Sequence, residues 1–447
     1  MIKKILLLFI ISILSLILIF SNSSIISGLG IEPIKLVKNQ NYDDHLIEDV
    51  PYVGQYYNLH CSYASRTMCI KHLGINVSLE DILFHSGLAY SMGYPFEMPS
   101  FDMNFRYMPM GGYIISQDIK DVSHLASIYG FKFNEWEMPI NESENGWEIY
   151  LQKVKENISA NIPVVTSVHP LKLKTFRSFL NIHEKILDIL SRKPGGHGVV
   201  IVGYNDSNNT ICFNDPLALF FGNPAKGTYI WMDQNSFLDA VNNTSIDSYL
   251  IRTITKMSEP MDEKLAFNIS HKRNLERLKG NASAYANYSE KENIEYTFGI
   301  EAVNDLKEKF NDKEECKNVK KAYKTKGRKL KILKPAIKII SLLGIVPDRF
   351  EEMSLQNEFE KNALEKLIAS EYLKNNSYLS DICIYDAELF EAEAEKWMEL
   401  SNLYSKFIER LVYNFSPFAS IILKKMADVL DEIIVIEQAI IDDPLEF

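Results

Sequence analysis

The run Gly198-Val199-Val200-Ile201-Val202-Gly203-Tyr204 carries no charge and no polar group before its terminal tyrosine, and it constrains the fold more than any other stretch of the chain. A strand that is apolar on both faces needs both faces covered, which calls for a sheet flanked by helices. A second run, Ile162-Pro163-Val164-Val165-Thr166-Ser167-Val168, supplies a comparable strand. Helical patterns surround the two. Residues 61–73 form one, stopped by Gly74, and residues 77–83 open another, with Ser78 as N-cap and Asp81 three residues later. Residues 123–129, closed by Gly130, and residues 148–160 give two more. Residues 50–255 therefore read as an α+β domain.

Beyond residue 260 the strand signals fade. Residues 389–415 and 419–441 read as two long helices broken by Asn414, Ser416 and Pro417, an expected antiparallel pair. Residues 335–343 are apolar enough for a core helix but too short to cross a bilayer. Between the two strand runs, residues 171–194 place Phe179, Ile182, Ile186, Ile189 and Leu190 on one helical face, either as a lid or as a segment packed on its own domain.

At the start, Lys3 and Lys4 precede an unbroken apolar run over residues 5–20. That pattern fits a signal peptide or an N-terminal membrane anchor, with the protein secreted or held on the outer face of the cell membrane. The expected division is 1–24 for that segment, 25–48 for a polar tether, 49–258 for the α+β domain and 259–447 for a mainly α-helical C-terminal domain. Triplets of the Asn-x-Ser/Thr kind, such as those at Asn76, Asn157 and Asn268, would be exposed to glycosylation in such a compartment, although an Asn-rich chain also produces them by chance.

A formal charge of -11 argues against nucleic acid as a partner, and the local basic stretch at residues 317–338 reads first as a solvated helix face or linker and second as a contact for acidic lipid or polymer. Five scattered cysteines, Cys61, Cys69, Cys212, Cys316 and Cys383, do not form a disulfide framework. With no CxxC pair and no HExxH, the sequence gives no support for a metal or any other cofactor.

Chemistry concentrates in three places. Cys61 opens the first predicted helix, where the positive end of the helix dipole favours thiolate over thiol. Gln55, on the loop before it, is placed to donate to an oxyanion forming beside the sulfur. His197 stands in Pro194-Gly195-Gly196-His197-Gly198 at the mouth of the apolar strand, where it suits a general base. Asp215, in Asn214-Asp215-Pro216, ends the next strand of a predicted hairpin and is within reach of that imidazole. His60, adjacent to the thiol, is expected to project away from it as a loop residue, the alternative being a role in tuning the thiolate or binding substrate.

Gln55, Cys61, the His197-x-Val199-x-Ile201-x-Gly203-Tyr204 strand and Asp215-Pro216 together resemble the C39-like peptidases of the papain superfamily. The resemblance covers residues 50–220. It implies a papain-like fold in which Cys61 is nucleophile, His197 base, Asp215 orienting acid and Gln55 oxyanion-hole residue, acting on peptide or amide substrates. His60 before the cysteine and Ser62 after it depart from the Asp and Gly of many C39 peptidases. Leu59-His60-Cys61, Leu73-Gly74, Leu79-Glu80 and Gly87-Leu88 resemble instead the N-terminal domain of butirosin biosynthesis protein H, which implies a cysteine-dependent acyltransferase. A catalytically silent binding protein on the same fold is the third reading.

Overall fold

The computed structural model describes residues 44–57, 60–95, 119–138, 146–173, 196–220, 222–244, 249–281, 296–312, 355–380, 382–410 and 419–442. The apolar run at residues 5–20, the insertion beyond Leu173, the basic stretch at 317–338, the apolar segment at 335–343 and Cys316 lie outside them. In chain order the described elements of the front half are β1 (Asp44–Leu46), α1 (Cys61–His72), α2 (Leu79–Ser86), β2 (Gly93–Pro95), α3 (Ile119–Tyr129), β3 (Phe131–Trp136), α4 (Gly146–Ser159), β4 (Val164–Val168), β5 (His197–Asn205), β6 (Thr210–Asn214), α5 (Leu217–Phe220), β7 (Ile230–Asp233), α6 (Gln234–Asn242) and β8 (Ile251–Lys256). The later part adds α7 (Glu263–Leu278), β9 (Tyr296–Phe298), α8 (Gly299–Asn311), α9 (Leu355–Asn375), α10 (Ile382–Glu409) and α11 (Ala419–Asp442). The fold is α+β, with a mainly helical C-terminal region.

A seven-stranded antiparallel sheet runs β3-β8-β4-β5-β6-β7, with β1 also paired to β5. The expected central strand is β5. Val199, Val200, Ile201 and Val202 are all fully buried, so residues pointing to either face are covered, and both α1 and α4 pack on this strand. Its neighbour β4 is likewise buried throughout, but begins at Val164 rather than Ile162, because Pro163 has no N–H to give to a ladder. Four strands of this sheet were not anticipated. These are β1, β3, β7 and β8, each only three to six residues long.

Helix α1 is buried from Tyr63 through Ile70, with no polar face left over. It is a core helix rather than a surface one, which fixes its first residue in space. Helix α2 starts with the expected capping box: Ser78 Oγ accepts from the Asp81 N–H, and the Asp81 carboxylate accepts from the Ser78 N–H. It ends at Gly87, whose φ of 75° is left-handed and whose missing Cβ would sit 2.3 Å from Asn274 Oδ1.

That contact belongs to a seam between the front half and the helices that follow. Asn274 Nδ2 donates to the Phe84 carbonyl at 2.8 Å, and the Arg277 guanidinium donates to the Ser86 carbonyl, so α7 supplies donors to two carbonyls at the end of α2. Phe84 stacks on Tyr372 of α9 at 4.1 Å between centroids and on Phe267 of α7 at 5.4 Å. Leu275, Leu278, Leu373, Cys383, Ala387 and Phe390 join Phe84, Ala89 and Tyr90 in one buried cluster. Residues 42–447 fall in one compact unit. Among the described residues no helix is long and apolar enough to cross a membrane.

Candidate active site

Cys61 is the first residue of α1 and keeps part of its surface exposed. Strand β5 runs alongside: a Cβ on Gly198 would lie 3.5 Å from the Cys61 carbonyl carbon and oxygen, ordinary contact distance, so strand and helix start touch through this glycine. Burial raises the thiol pKa. A hydrogen bond and the positive charge of His197 oppose it, and the backbone N–H groups of Gly198 and Ser62 point at the sulfur, so the net shift is downward. Burial alone acts on Cys69 and Cys212, pushing each thiol up to about 12. The surroundings therefore favour the thiolate at Cys61 and the thiol at those two.

His197 is the first residue of β5, at the mouth of the strand as expected, and is 4% exposed. Its Nε2 lies 2.7 Å from Asp215 Oδ1, which leaves Nδ1 for the Cys61 sulfur. Burial would depress the imidazole. The charge and hydrogen bond of Asp215 outweigh it, with Cys61 contributing in the same direction, and the value is pushed up to about 10. A thiolate beside an imidazolium is the ground state these shifts favour.

Asp215 reaches the ring because β5 and β6 form the expected hairpin, with Val200 opposite Asn214 and the turn between Asn205 and Thr210. The chain then leaves the ladder at Asp215, which is fully buried. Its backbone is held by its own N–H to the Gly227 carbonyl at 2.7 Å and by the Tyr52 hydroxyl to its carbonyl at 3.1 Å. Oδ1 also accepts the Leu217 N–H at 3.0 Å, which fixes the rotamer that faces His197.

Gln55 is 2% exposed and is tied to the same corner: its backbone N–H donates to the Pro216 carbonyl at 2.9 Å. Its side-chain Nε2 donates to the Tyr57 carbonyl at 2.9 Å, which uses one of two amide hydrogens. The loop sits hard against α5, since a Cβ on Gly54 would fall 2.2 Å from Leu219 Cβ. Of the four residues singled out in the sequence, Cys61, His197 and Asp215 form one hydrogen-bonded row, and Gln55 is anchored to the segment carrying Asp215.

Two features escaped the sequence reading. The Gly198 N–H faces the sulfur; the glycine-flanked histidine hinted at close backbone approach but not at this donor. His60 does not project into an open loop. It is fully buried, and its Nε2 lies 3.5 Å from Glu365 Oε1 on α9.

Residues 47–237 match the model of the Peptidase_C39 like family, a span that includes Gln55, Cys61, His197 and Asp215. The match supports placing this part of the chain among C39-like peptidases, and so with cysteine peptidase-type hydrolases. A search of curated proteins gave no match.

Proposed function

We propose that this C39-like chain is a thiol hydrolase that cleaves peptide or amide bonds outside the cytoplasm, with Cys61, His197 and Asp215 as its catalytic row. The observation that carries the reading is the imidazole of His197, bonded to Asp215 at 2.7 Å on one side and to the Cys61 thiol on the other. Lys3 and Lys4 ahead of the apolar run support the extracytoplasmic side of the reading, because basic residues stay on the cytoplasmic face during export.

In this mechanism the Cys61 thiolate attacks the carbonyl carbon of the scissile amide, and the carbonyl π electrons move onto oxygen. Backbone N–H groups at the start of α1 and the second amide hydrogen of Gln55 stabilise that oxyanion. The His197 imidazolium then gives its proton to the amine nitrogen as the C–N bond breaks, leaving an acyl thioester on Cys61. His197, now neutral, takes a proton from water as the water oxygen attacks the thioester. Collapse of the second tetrahedral species releases the carboxylic acid and restores the thiolate–imidazolium pair. Throughout, Asp215 keeps Nε2 engaged and so holds Nδ1 toward the sulfur.

Turnover of a fluorogenic peptide library by the full chain in plain buffer tests this. Cleavage without any added acceptor, abolished by Cys61→Ala, is the expected result. Turnover only when an amine or alcohol acceptor is supplied would replace the hydrolase with an acyltransferase. Absence of turnover together with uniformly slow thiols would leave a silent scaffold.

A further inference from the structure

Helix α9 packs against α2 and the turn at Leu88–Tyr90, and through Glu365 it reaches the start of the nucleophile helix. The Glu365 and His60 side chains are 2% and 0% exposed, with Oε1 3.5 Å from Nε2. Neither imidazole nitrogen nor Glu365 Oε1 has a hydrogen-bond partner among the described residues, and the two groups meet at ion-pair distance. Such groups are expensive to bury unpaired, so the 3.5 Å contact ties the ring and the carboxylate to one another.

His60 controls more than its own side chain. Its carbonyl accepts the Ala64 N–H at 2.9 Å, closing the first turn of α1 on which Cys61 stands. Its N–H donates at 3.3 Å to the Tyr57 carbonyl, the same oxygen that receives Gln55 Nε2. The outer side of this loop is clamped by the Tyr56 hydroxyl donating to Glu80 of α2. One residue thus joins the turn carrying the thiol to the loop holding the amide.

We infer that Glu365 is a positioning residue for the nucleophile, acting through His60, and that the helical region is part of the active site rather than an appended module. The inference rests on Cys61 being the reactive thiol of the proposed function. It does not depend on what the thiol attacks. The groups that act directly on Cys61 are His197 from β5, with Asp215 behind it, and the Gly198 and Ser62 N–H groups, whereas His60 and Glu365 act through the placement of the helix start.

The test measures iodoacetamide alkylation of Cys61 between pH 5 and 9 in the full chain, in Glu365→Gln, in His60→Gln and in the double variant. Each single change is expected to slow Cys61 about three- to tenfold at pH 7 and to move the midpoint of its profile upward. The double variant is expected to be no slower than the slower single, because both changes remove one linkage. Buried Cys212 and Cys383 serve as internal controls, remaining unlabelled while the chain is folded. If Glu365→Gln exposes them, His60→Gln carries the test, and must slow Cys61 while they stay inert. A parental Cys61 rate and midpoint in either folded single variant, or effects that multiply in the double, would overturn the assignment. A chain that labels as expected but cleaves no peptide in water sinks the hydrolase reading and leaves Glu365 in its role.

Discussion

His85 sits in the seam between the front half and the helical region, 6% exposed, with Nδ1 2.7 Å from Ser270 Oγ on α7 and Nε2 3.5 Å from the Tyr372 hydroxyl on α9. Burial lowers its pKa to about 3. Its contribution to stability is therefore complete above the unfolded value near 6.5 and is lost as pH falls from there toward 3. One pKa unit corresponds to about 1.4 kcal/mol, so acidification to pH 5 removes about 2 kcal/mol through this residue. His124, which bonds the same serine hydroxyl at 3.0 Å, and His271 are lowered to about 3 and about 4, chiefly by burial, and act in the same direction. Urea unfolding of the parent and of His85→Gln, followed by circular dichroism at pH 7.5 and pH 5, isolates the effect. The glutamine cannot gain a proton, so the parent should lose about 2 kcal/mol more than the variant over that interval. Parallel losses in the two proteins would refute the argument that His85 is held neutral by the seam.

Asp215→Asn removes the charge that holds the His197 imidazole up, so alkylation of Cys61 at pH 7 should fall about tenfold or more while circular dichroism stays parental; an unchanged rate would show that His197 needs no carboxylate. Lys366 is buried 2.7 Å from Glu393 and 3.4 Å from Glu437, whose carboxyl is pushed up to about 8 by burial. Lys366→Ala leaves both buried acidic side chains without their cation and should cost about 3 kcal/mol at neutral pH in urea unfolding, whereas a loss below about 1 kcal/mol would show that the cluster is not held by its charge.

The front half was the more legible because its signals are local. The Ser78–Asp81 capping box is a four-residue pattern, β5 is an unbroken apolar run, and Cys61, His197 and Asp215 each stand at the edge of an element whose type short-range periodicity reveals. The missed strands β3 and β8 pair with each other over six residues and are too short for alternation to separate them from loop. What lay beyond reading was the seam. Phe84, Phe267 and Tyr372 are ordinary apolar positions until the chain brings them into one stack. Nothing in the sequence marks charged residues such as Lys366, Glu393 and Glu437 as buried, and only their mutual pairing allows burial. Glu365 gave no sign of its place beside His60, because two residues so far apart in sequence share no pattern.

The row Cys61–His197–Asp215 is most directly tested by the iodoacetamide rate at each cysteine of the full chain as a function of pH, compared with the same profile in His197→Ala. A thiolate held by an imidazolium predicts that Cys61 reacts faster than Cys69, Cys212 and Cys383, that its rate persists below the ordinary thiol range, and that His197→Ala removes the advantage. Equal and slow alkylation of these cysteines, with no change in His197→Ala, would contradict it.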